Sequence, residues 1–467
     1  MNSELITFTH QIAMSLHRMG LAGAAVNRRT YADLGKQWTQ EAAMLSDKLM
    51  KQALATGMSQ FTATNDEHVR EMIYDRMGYP VLVKTRKDKL PAIDKPTLKR
   101  LLNEHAPSKF IDDFITFNGV DKLLSTWIGK ADRKKNARKS VGELIEAVPG
   151  LKNLGLIHFW AIPLKARTGR RASGGVEEDD PEGRNAQNWP SKARKMIISR
   201  WPKSKIAVGD FSKLEMVIMG WLAPDEKLLD YFLNGAGYIG IAKEFWGQDV
   251  EDGSQMYKAT KCIVLGLNYN MKAWHLANDL WYKIGFKFSE DWDEHFKQTI
   301  KARKRYLRMF PGLANYIRST LWDVREKQRI VSPSGRVRHL PHHGPDSEGY
   351  WHVENSAVNY RIQSTASEIT GSALVDYEEA LLAEYKLSYT DWHSALIERP
   401  WDPPCSPVFN EVHDELDLDL HPKSGKRDLE ILVDCMQNVR SFRKLVPSFD
   451  IKLKVDVQVV PTWGDAK

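Results

Sequence analysis

Two short acidic strings, far apart in the chain, constrain this sequence more than any other feature. The first is Val208-Gly209-Asp210-Phe211-Ser212-Lys213-Leu214-Glu215, and the second is Glu411-Val412-His413-Asp414-Glu415-Leu416. In each, an apolar run leads toward an aspartate, the pattern of a strand that delivers a carboxylate to its end or turn. A fold that brings the two together gathers carboxylates at one place. Paired carboxylates can hold two Mg²⁺ ions roughly 3.5–4 Å apart for in-line displacement at phosphorus.

The chain has 467 residues, too many for a single core, so about two to four structural regions are expected. Hydrophobic residues make up 42% and charged residues 27%, which fits a globular chain rather than a disordered one. The net charge of +7, from 67 basic and 60 acidic residues, is a modest excess. Any nucleic-acid reading must therefore rest on where the charge lies. Cys262, Cys405 and Cys435 lack metal-ligand spacing, and so sparse a set points to a reducing compartment without a disulfide framework. The Met1-Asn2-Ser3-Glu4 start shows no signal-peptide pattern, and no apolar run approaches the ~20 residues of a membrane span. A cytoplasmic protein with no membrane partner is expected.

Periodicity predicts helix from about Thr7 to Ala55, broken at Gly20, Gly23 and Gly35, then His68–Met77, Lys95–His105 and Phe110–Trp127. Two basic strings follow, Lys130–Lys139 and Lys165–Arg171, the second running into Glu177-Glu178-Asp179-Asp180. For the first, phosphate contact and a solvated face are evenly matched readings. Ala223–Arg329 reads as almost all helix, Val331–Arg336 as a hairpin turn, Val353–Tyr385 as one long helix, and Ile451–Val457 as an alternating strand. His342 and His343 read as a surface turn. Arg303, Lys304, Arg305 and Arg308 read as a solvated helix face rather than a second DNA site.

Between the acidic strings, Tyr257, Lys261, Leu265 and Tyr269 recur at four-residue steps and share one helix face. Such a face can serve a nucleotide, with the lysine at the phosphates, the leucine at the sugar and the tyrosine at the base. The same spacing also suits an ordinary amphipathic helix with a snorkelling lysine. Its place between two candidate metal strings favours the first reading.

Taken together, these segments resemble family A DNA polymerases, the bacterial DNA polymerase I family, in a divergent, phage-like form. The matching pieces occur in the family's order. Thr168-Gly169-Arg170 with Ser173, and Asn185-Ala186-Gln187-Asn188-Trp189-Pro190, are similar to the primer-side segments. Asp210–Glu215 resembles motif A, Tyr257–Asn270 motif B, and Val412-His413-Asp414-Glu415 motif C. Gly335–Pro341 is similar to the family's basic hairpin, Asn359–Ala366 to its Asn/Gln helix, and Asp121–Trp127 to a thumb helix.

The resemblance implies an α+β right-hand fold. Residues 1–154 would be the thumb and N-terminal helices, 155–225 the first part of the palm, 226–344 the fingers and 345–467 the rest of the palm. It implies template-directed addition of deoxynucleotides to a primer 3′-hydroxyl. Asp210 and Asp414 would bind two Mg²⁺ ions, or Mn²⁺, with Glu415 in support and Lys261 as triphosphate ligand and proton donor. Glu215 would exclude a 2′-hydroxyl, and Leu265, Tyr269, Tyr257 and Lys258 would line the nucleotide site. Arg170, Asn359, Gln363 and His413 would meet primer and template.

The sequence departs from the family pattern at Tyr257, where Arg is usual, at Leu265 for an aromatic residue, at Asn270 for Gly, and at Val217 for Arg. Lys258 could supply the charge missing at Tyr257. Family members often carry a 3′–5′ exonuclease region before the thumb; the resemblance starts near the thumb, so proofreading by this polypeptide is not expected. The implied partners are primer–template DNA, deoxynucleoside triphosphates, and a separate exonuclease or processivity factor. Two alternatives stand: a duplex-binding protein with a polymerase fold and little catalysis, and a single-subunit RNA polymerase, which Glu215 disfavours.

Overall fold

Helical and strand segments follow the hydrophobic periodicity closely in the C-terminal two-thirds of the chain. The computed structural model describes residues 3–85, 87–128, 141–173, 186–346, 351 and 353–466. The Lys130–Lys139 string, the Glu177–Asp180 patch and Asn185 lie outside the described residues. The chain divides into two compact units, one of Met1–Ala25 with Leu156–Lys467 and the other of Val26–Gly155.

In the larger unit, the elements used below are, in chain order, α1 (Ser3–Ala22), β1 (Ile206–Phe211), α2 (Leu214–Leu222), α3 (Gln255–Asn268) and α4 (Ala273–Asn278). They continue with α5 (Trp292–Met309), α6 (Pro311–Lys327), α7 (Glu354–Tyr385), β2 (Val408–Val412), β3 (Glu415–Asp419), α8 (Gly425–Asn438) and β4 (Val455–Val460). The four strands form one antiparallel sheet in the order β2-β3-β1-β4. In its register Asp210 faces Glu415 on one side and Asp456 on the other. Gly209, next to Asp210, has no side chain for a packing reason: a Cβ there would lie 3.0 Å from Met436 Sδ of α8. The main core surrounds these strands and reaches through α2, α3 and α7.

Behind α3, helix α5 fastens its inner face by two buried polar contacts. Tyr306 Oη donates to Asn268 Oδ1 at 2.9 Å. His295 receives the Phe288 N–H on Nδ1 and faces the Ala277 carbonyl with Nε2 at 3.0 Å, an arrangement that fixes the Nε2-protonated tautomer. Burial holds that imidazole below its ordinary pKa, so it stays neutral.

Helix α1 packs against α7 instead of joining the helices that follow it. The Arg18 guanidinium grips buried Glu378 at 2.5 and 2.6 Å, with Ser15 Oγ and Trp392 Nε1 completing that carboxylate's partners. The boundary between the two compact units falls after Ala25, inside the span 1–154 read as thumb and N-terminal helices. In the smaller unit, Arg28–Leu54 packs on Lys109–Leu123 around Leu49, Ile73, Leu98 and Phe114. Gly35 does not break the first of these helices. It is buried inside it, where a Cβ would lie 3.3 Å from Ile128 Cγ2.

The last strand also differs from its sequence reading. It runs Val455–Val460, and Ile451–Lys454 stays outside it. That stretch has other backbone partners: Leu453 N donates to Gln437 O and Ser212 N donates to Lys454 O. No helix among the described residues is long and apolar enough to cross a membrane.

Arg200 ties distant segments of the larger unit together. Its Nε donates to Asp419 Oδ2 at 2.7 Å, and its guanidinium reaches the carbonyls of Ala22, Gly23 and Pro400, with both charged side chains essentially without solvent exposure. Removing one partner of such a pair leaves an uncompensated buried charge. Arg200→Ala should lower the unfolding free energy by about 3–5 kcal/mol, read from denaturant midpoints; an unchanged midpoint would contradict this role.

Candidate active site

The two acidic strings meet. Strand β1 places Asp210 near its end, and the β2–β3 hairpin turns at His413-Asp414, where His413 takes a positive φ of 59°. Phe211 N donates to Asp414 O at 3.2 Å, so the turn carrying Asp414 is bonded directly to the strand carrying Asp210. The charges feel one another. Burial first, then the carboxylates of Asp414, Glu415 and Asp456, push Asp210 up to about 7. Asp414 is pushed up to about 6 by burial and by Glu215 and Glu415, against the opposing pull of Arg170 and of a backbone hydrogen bond.

Burial and like charge disfavour the anionic state of these carboxylates, whose only donor atoms are oxygens, although among the described residues no three His, Cys, Asp or Glu side chains are grouped closely enough to hold a metal ion. Mg²⁺ and Mn²⁺, which prefer carboxylate oxygen, fit that chemistry.

Glu415 points along the same sheet face and is held from outside. Trp463 Nε1 donates to it at 3.4 Å and Arg194 Nη1 lies 3.7 Å away. Beyond it, fully buried Asp417 accepts from Asn410 Nδ2 at 2.9 Å, and burial raises its pKa well above the ordinary range, with neighbouring Glu415 adding to the rise.

Glu215, on the first turn of α2, is bonded from both sides, by Arg170 Nη2 and by Tyr269 Oη. Burial and Glu215 together raise the Tyr269 phenol far above its usual pKa, so it remains a donor. Tyr269 caps the C-terminus of α3. It lines a cavity of about 1070 Å³ together with Lys258, Lys261, Leu265 and Asn359. Three of the four residues chosen on sequence spacing, Lys261, Leu265 and Tyr269, thus share one space, and Tyr269 connects that space to Glu215 and the acidic cluster.

Lys261 Nζ sits 5.6 Å from the ring centre of Tyr238, a cation–π support for the lysine that no motif reveals. Tyr257 packs edge-on against the same Tyr238 and is not among the residues lining the cavity. Asn359 and Gln363 lie one turn apart on α7. The Asn359 Oδ1 is buried and has no hydrogen-bond partner among the described residues. Partial burial, then Arg170, keeps His413 below its ordinary pKa.

Sequence reasoning missed Asp456, Arg194, Trp463 and Tyr238. Asp456 carried a usable signal, since it lies in the alternating C-terminal segment. Its register opposite Asp210 is a property of strand pairing alone. Arg303, read as part of a solvated face, is half-buried, and its Nε has no hydrogen-bond partner among the described residues.

Asn270 stands where the family pattern has Gly, and its φ of 60° explains the exchange: Asn is the side chain that best tolerates the left-handed region. Its Nδ2 also reaches Asn355 Oδ1 at 3.3 Å. Asn270→Gly should leave stability within ~0.5 kcal/mol, whereas Asn270→Val should cost about 1–2 kcal/mol. Equal melting temperatures for the two variants would show that backbone strain is not what selects Asn here.

A sequence profile of DNA polymerase family A matches residues 28–465. DNA polymerase I of Geobacillus stearothermophilus is 22% identical over 482 residues, covering 99% of this chain and 46% of that protein. DNA polymerase I of Pseudomonas aeruginosa is 26% identical over 431 residues, covering 90% of this chain and 40% of that protein. The chain thus spans less than half the length of these relatives. Among solved structures, the POL domain of Pol1 from M. smegmatis, in complex with DNA primer-template and dNTP, matches with a TM-score of 0.74 at 18% identity. It covers 98% of this chain and 70% of that one. The fold is that of a right-hand polymerase domain, and the chain belongs to DNA polymerase family A.

Proposed function

We propose that this chain adds deoxynucleotides to a primer 3′-hydroxyl under the direction of a template strand. The observation that carries this reading is the register that sets Asp210 beside Glu415, with Asp414 in the adjoining turn. Next to it lies a cavity lined by Lys261 and Tyr269. On this reading, residues 155–225 and 345–467 form the palm and 226–344 the fingers. The thumb narrows to Val26–Gly155, because Met1–Ala25 belongs to the other compact unit.

Asp210 and Asp414 would hold the two Mg²⁺ ions, with Mn²⁺ able to replace them. Metals bound there would supply a lowered pKa for the primer hydroxyl and charge neutralisation for the leaving pyrophosphate. The protein's own part is positioning and electrostatics, as in other phosphoryl transfers. Glu415, braced by Arg194 and Trp463, keeps the carboxylate cluster in register. Lys261 meets the triphosphate and gives a proton to the departing pyrophosphate. Lys258 adds charge beside it, and Leu265 offers an apolar wall to the sugar.

Tyr269 stacks near the nascent pair, and Glu215 fills the room a 2′-hydroxyl would need. Arg170, His413, Asn359 and Gln363 contact primer and template through hydrogen bonds that do not depend on base identity.

Primer extension tests the assignment. Asp210→Ala and Asp414→Ala should each lower the rate by roughly 10³-fold or more, and Lys261→Ala by about 10²–10⁴-fold. Full activity in either aspartate variant would overturn the reading. In the same assay a mismatched primer should keep its 3′ end in the presence of Mg²⁺, since proofreading is not part of the proposal. The sugar gate has its own readout. Glu215→Ala should raise ribonucleotide use relative to deoxynucleotide use by roughly tenfold to a hundredfold, the scale of a small steric difference in a pocket. An unchanged ratio would place the gate on another residue.

A further inference from the structure

Glu411 belongs to the second acidic string, yet the chemistry above gives it no part. It is buried on β2, three residues before Asp414. Its partner is Arg171, also buried, which directly follows Arg170. Arg171 Nε donates to Glu411 Oε1 at 2.7 Å, and Nη2 donates to the same oxygen. The remaining nitrogen, Nη1, donates to the Ser367 carbonyl of α7 at 2.8 Å. Glu411 Oε2 is buried and has no hydrogen-bond partner among the described residues.

Arg171 joins three segments of the larger unit. One is its own loop, which leads into a short strand pairing Ala172 with Ile162. That loop lies flat on α7: Gly169 has a φ of 81°, and a Cβ there would come within 2.7 Å of Ser364 Cβ. Helix α7 is the next segment. Two turns beyond Ser364, Gly371 leaves the room that the guanidinium fills, since a Cβ would lie 2.9 Å from Arg171 Nη1. The last is the β2–β3 hairpin. Among the described residues β2 is bonded within the sheet to β3 alone, and Thr370 Oγ1 of α7 donates to His413 O at 3.4 Å.

Arg170, bonded to Glu215, and Asp414, bonded through its carbonyl to Phe211, thus extend from opposite ends of one buried ion pair. For stability alone such a pair has little advantage, because apolar side chains of similar volume often serve as well. What it adds is direction: a planar fork with all its donors engaged fixes both distance and angle between the segments it joins.

We propose that Arg171 and Glu411 are positioning residues, whose pair holds the loop of Arg170 and the turn of Asp414 in one frame. The primer end and the metal-binding carboxylates then keep the alignment that in-line attack requires. Both residues act through their neighbours. The inference rests on the polymerase reading for the reaction, whereas the placement of Asp414 bears on cation binding with or without a reaction.

Two measurements on the full chain test this. Rapid-quench extension of a primer–template separates the rate per bound complex from the burst amplitude, which counts folded enzyme. Titration with Mn²⁺, followed by the paramagnetic resonance of the free ion, reads the carboxylates without chemistry. Arg171→Leu is expected to fold, since burial already pushes Glu411 up and lets it take a proton once the arginine is gone. This variant should lower the burst rate about tenfold to a hundredfold and weaken Mn²⁺ binding about tenfold. The nucleotide concentration giving half the maximal rate should not change, because the cavity at Lys261, Leu265 and Tyr269 is untouched. Arg171→Leu combined with Glu411→Leu removes both charges; its melting temperature should return toward that of the parent while its burst rate stays low.

A parental burst rate in the double variant would make the pair a matter of stability alone and overturn the proposal. A loss confined to burst amplitude in Arg171→Leu would do the same, and unchanged Mn²⁺ affinity would remove the link to Asp414. If the parent binds Mn²⁺ yet extends no primer, the polymerase reading fails on its own, and the Mn²⁺ comparison still decides whether the pair aligns the carboxylates.

Discussion

The antiparallel pairing of β1 with β3 is the constraint on which the rest of this structure depends. Leu416 and Leu418 of β3 share one face of the pair with Ala207, Gly209 and Phe211 of β1, while Glu415, Asp417 and Asp419 share the other with Ile206, Val208 and Asp210. A shift of one residue would part Asp210 from Glu415 and set it among Leu416 and its neighbours, so hydrophobic packing and carboxylate placement are fixed by one choice of register. The short turn at His413-Asp414 leaves that register little freedom. Burial of Ala207, Val208, Leu416 and Leu418 stabilises the sheet, and the same burial makes the carboxylates expensive to ionise. Fold stability and site chemistry oppose each other at Asp210, and a bound cation offsets the conflict.

Much of this was legible in the sequence because the informative segments are local. A strand that ends in Asp, a helix with a four-residue recurrence and a Ser-Pro-Ser-Gly turn each carry their own periodicity. The parts that escaped are contacts between segments. Tyr238 supports Lys261 from a different helix, and Asp456 neighbours Asp210 only through pairing. The Lys452 and Lys454 alternation looked like strand, yet the backbone there is taken up by Gln437 and Ser212. Gly35 looked like a breaker, and close packing against Ile128 is the reason for a small residue there. The attachment of α1 to α7 depends on Arg18 and Glu378, which no window along the chain could have joined.

The departures from the family pattern also acquire physical reasons, though not all to the same degree. Asn270 keeps the backbone conformation that Gly would allow and adds a bond to Asn355. Tyr257 exchanges a charge for an edge-on contact with Tyr238, which leaves Lys258 and Lys261 as the cations lining the cavity from α3. For Leu265 in place of an aromatic residue, nothing in the surrounding packing gives a reason.

Strand β4 closes the sheet on one side, with no further strand beyond it among the described residues. Its Val457 and Val459 are exposed, so an open row of backbone donors and acceptors runs beside apolar side chains, the usual recipe for unwanted assembly between molecules. Asp456 is the second residue of that strand, next to Val457. A second molecule adding a strand there would have to strip water from this carboxylate while it lies next to Asp210. The acidity gathered for one purpose therefore also opposes strand addition at the free margin of the sheet.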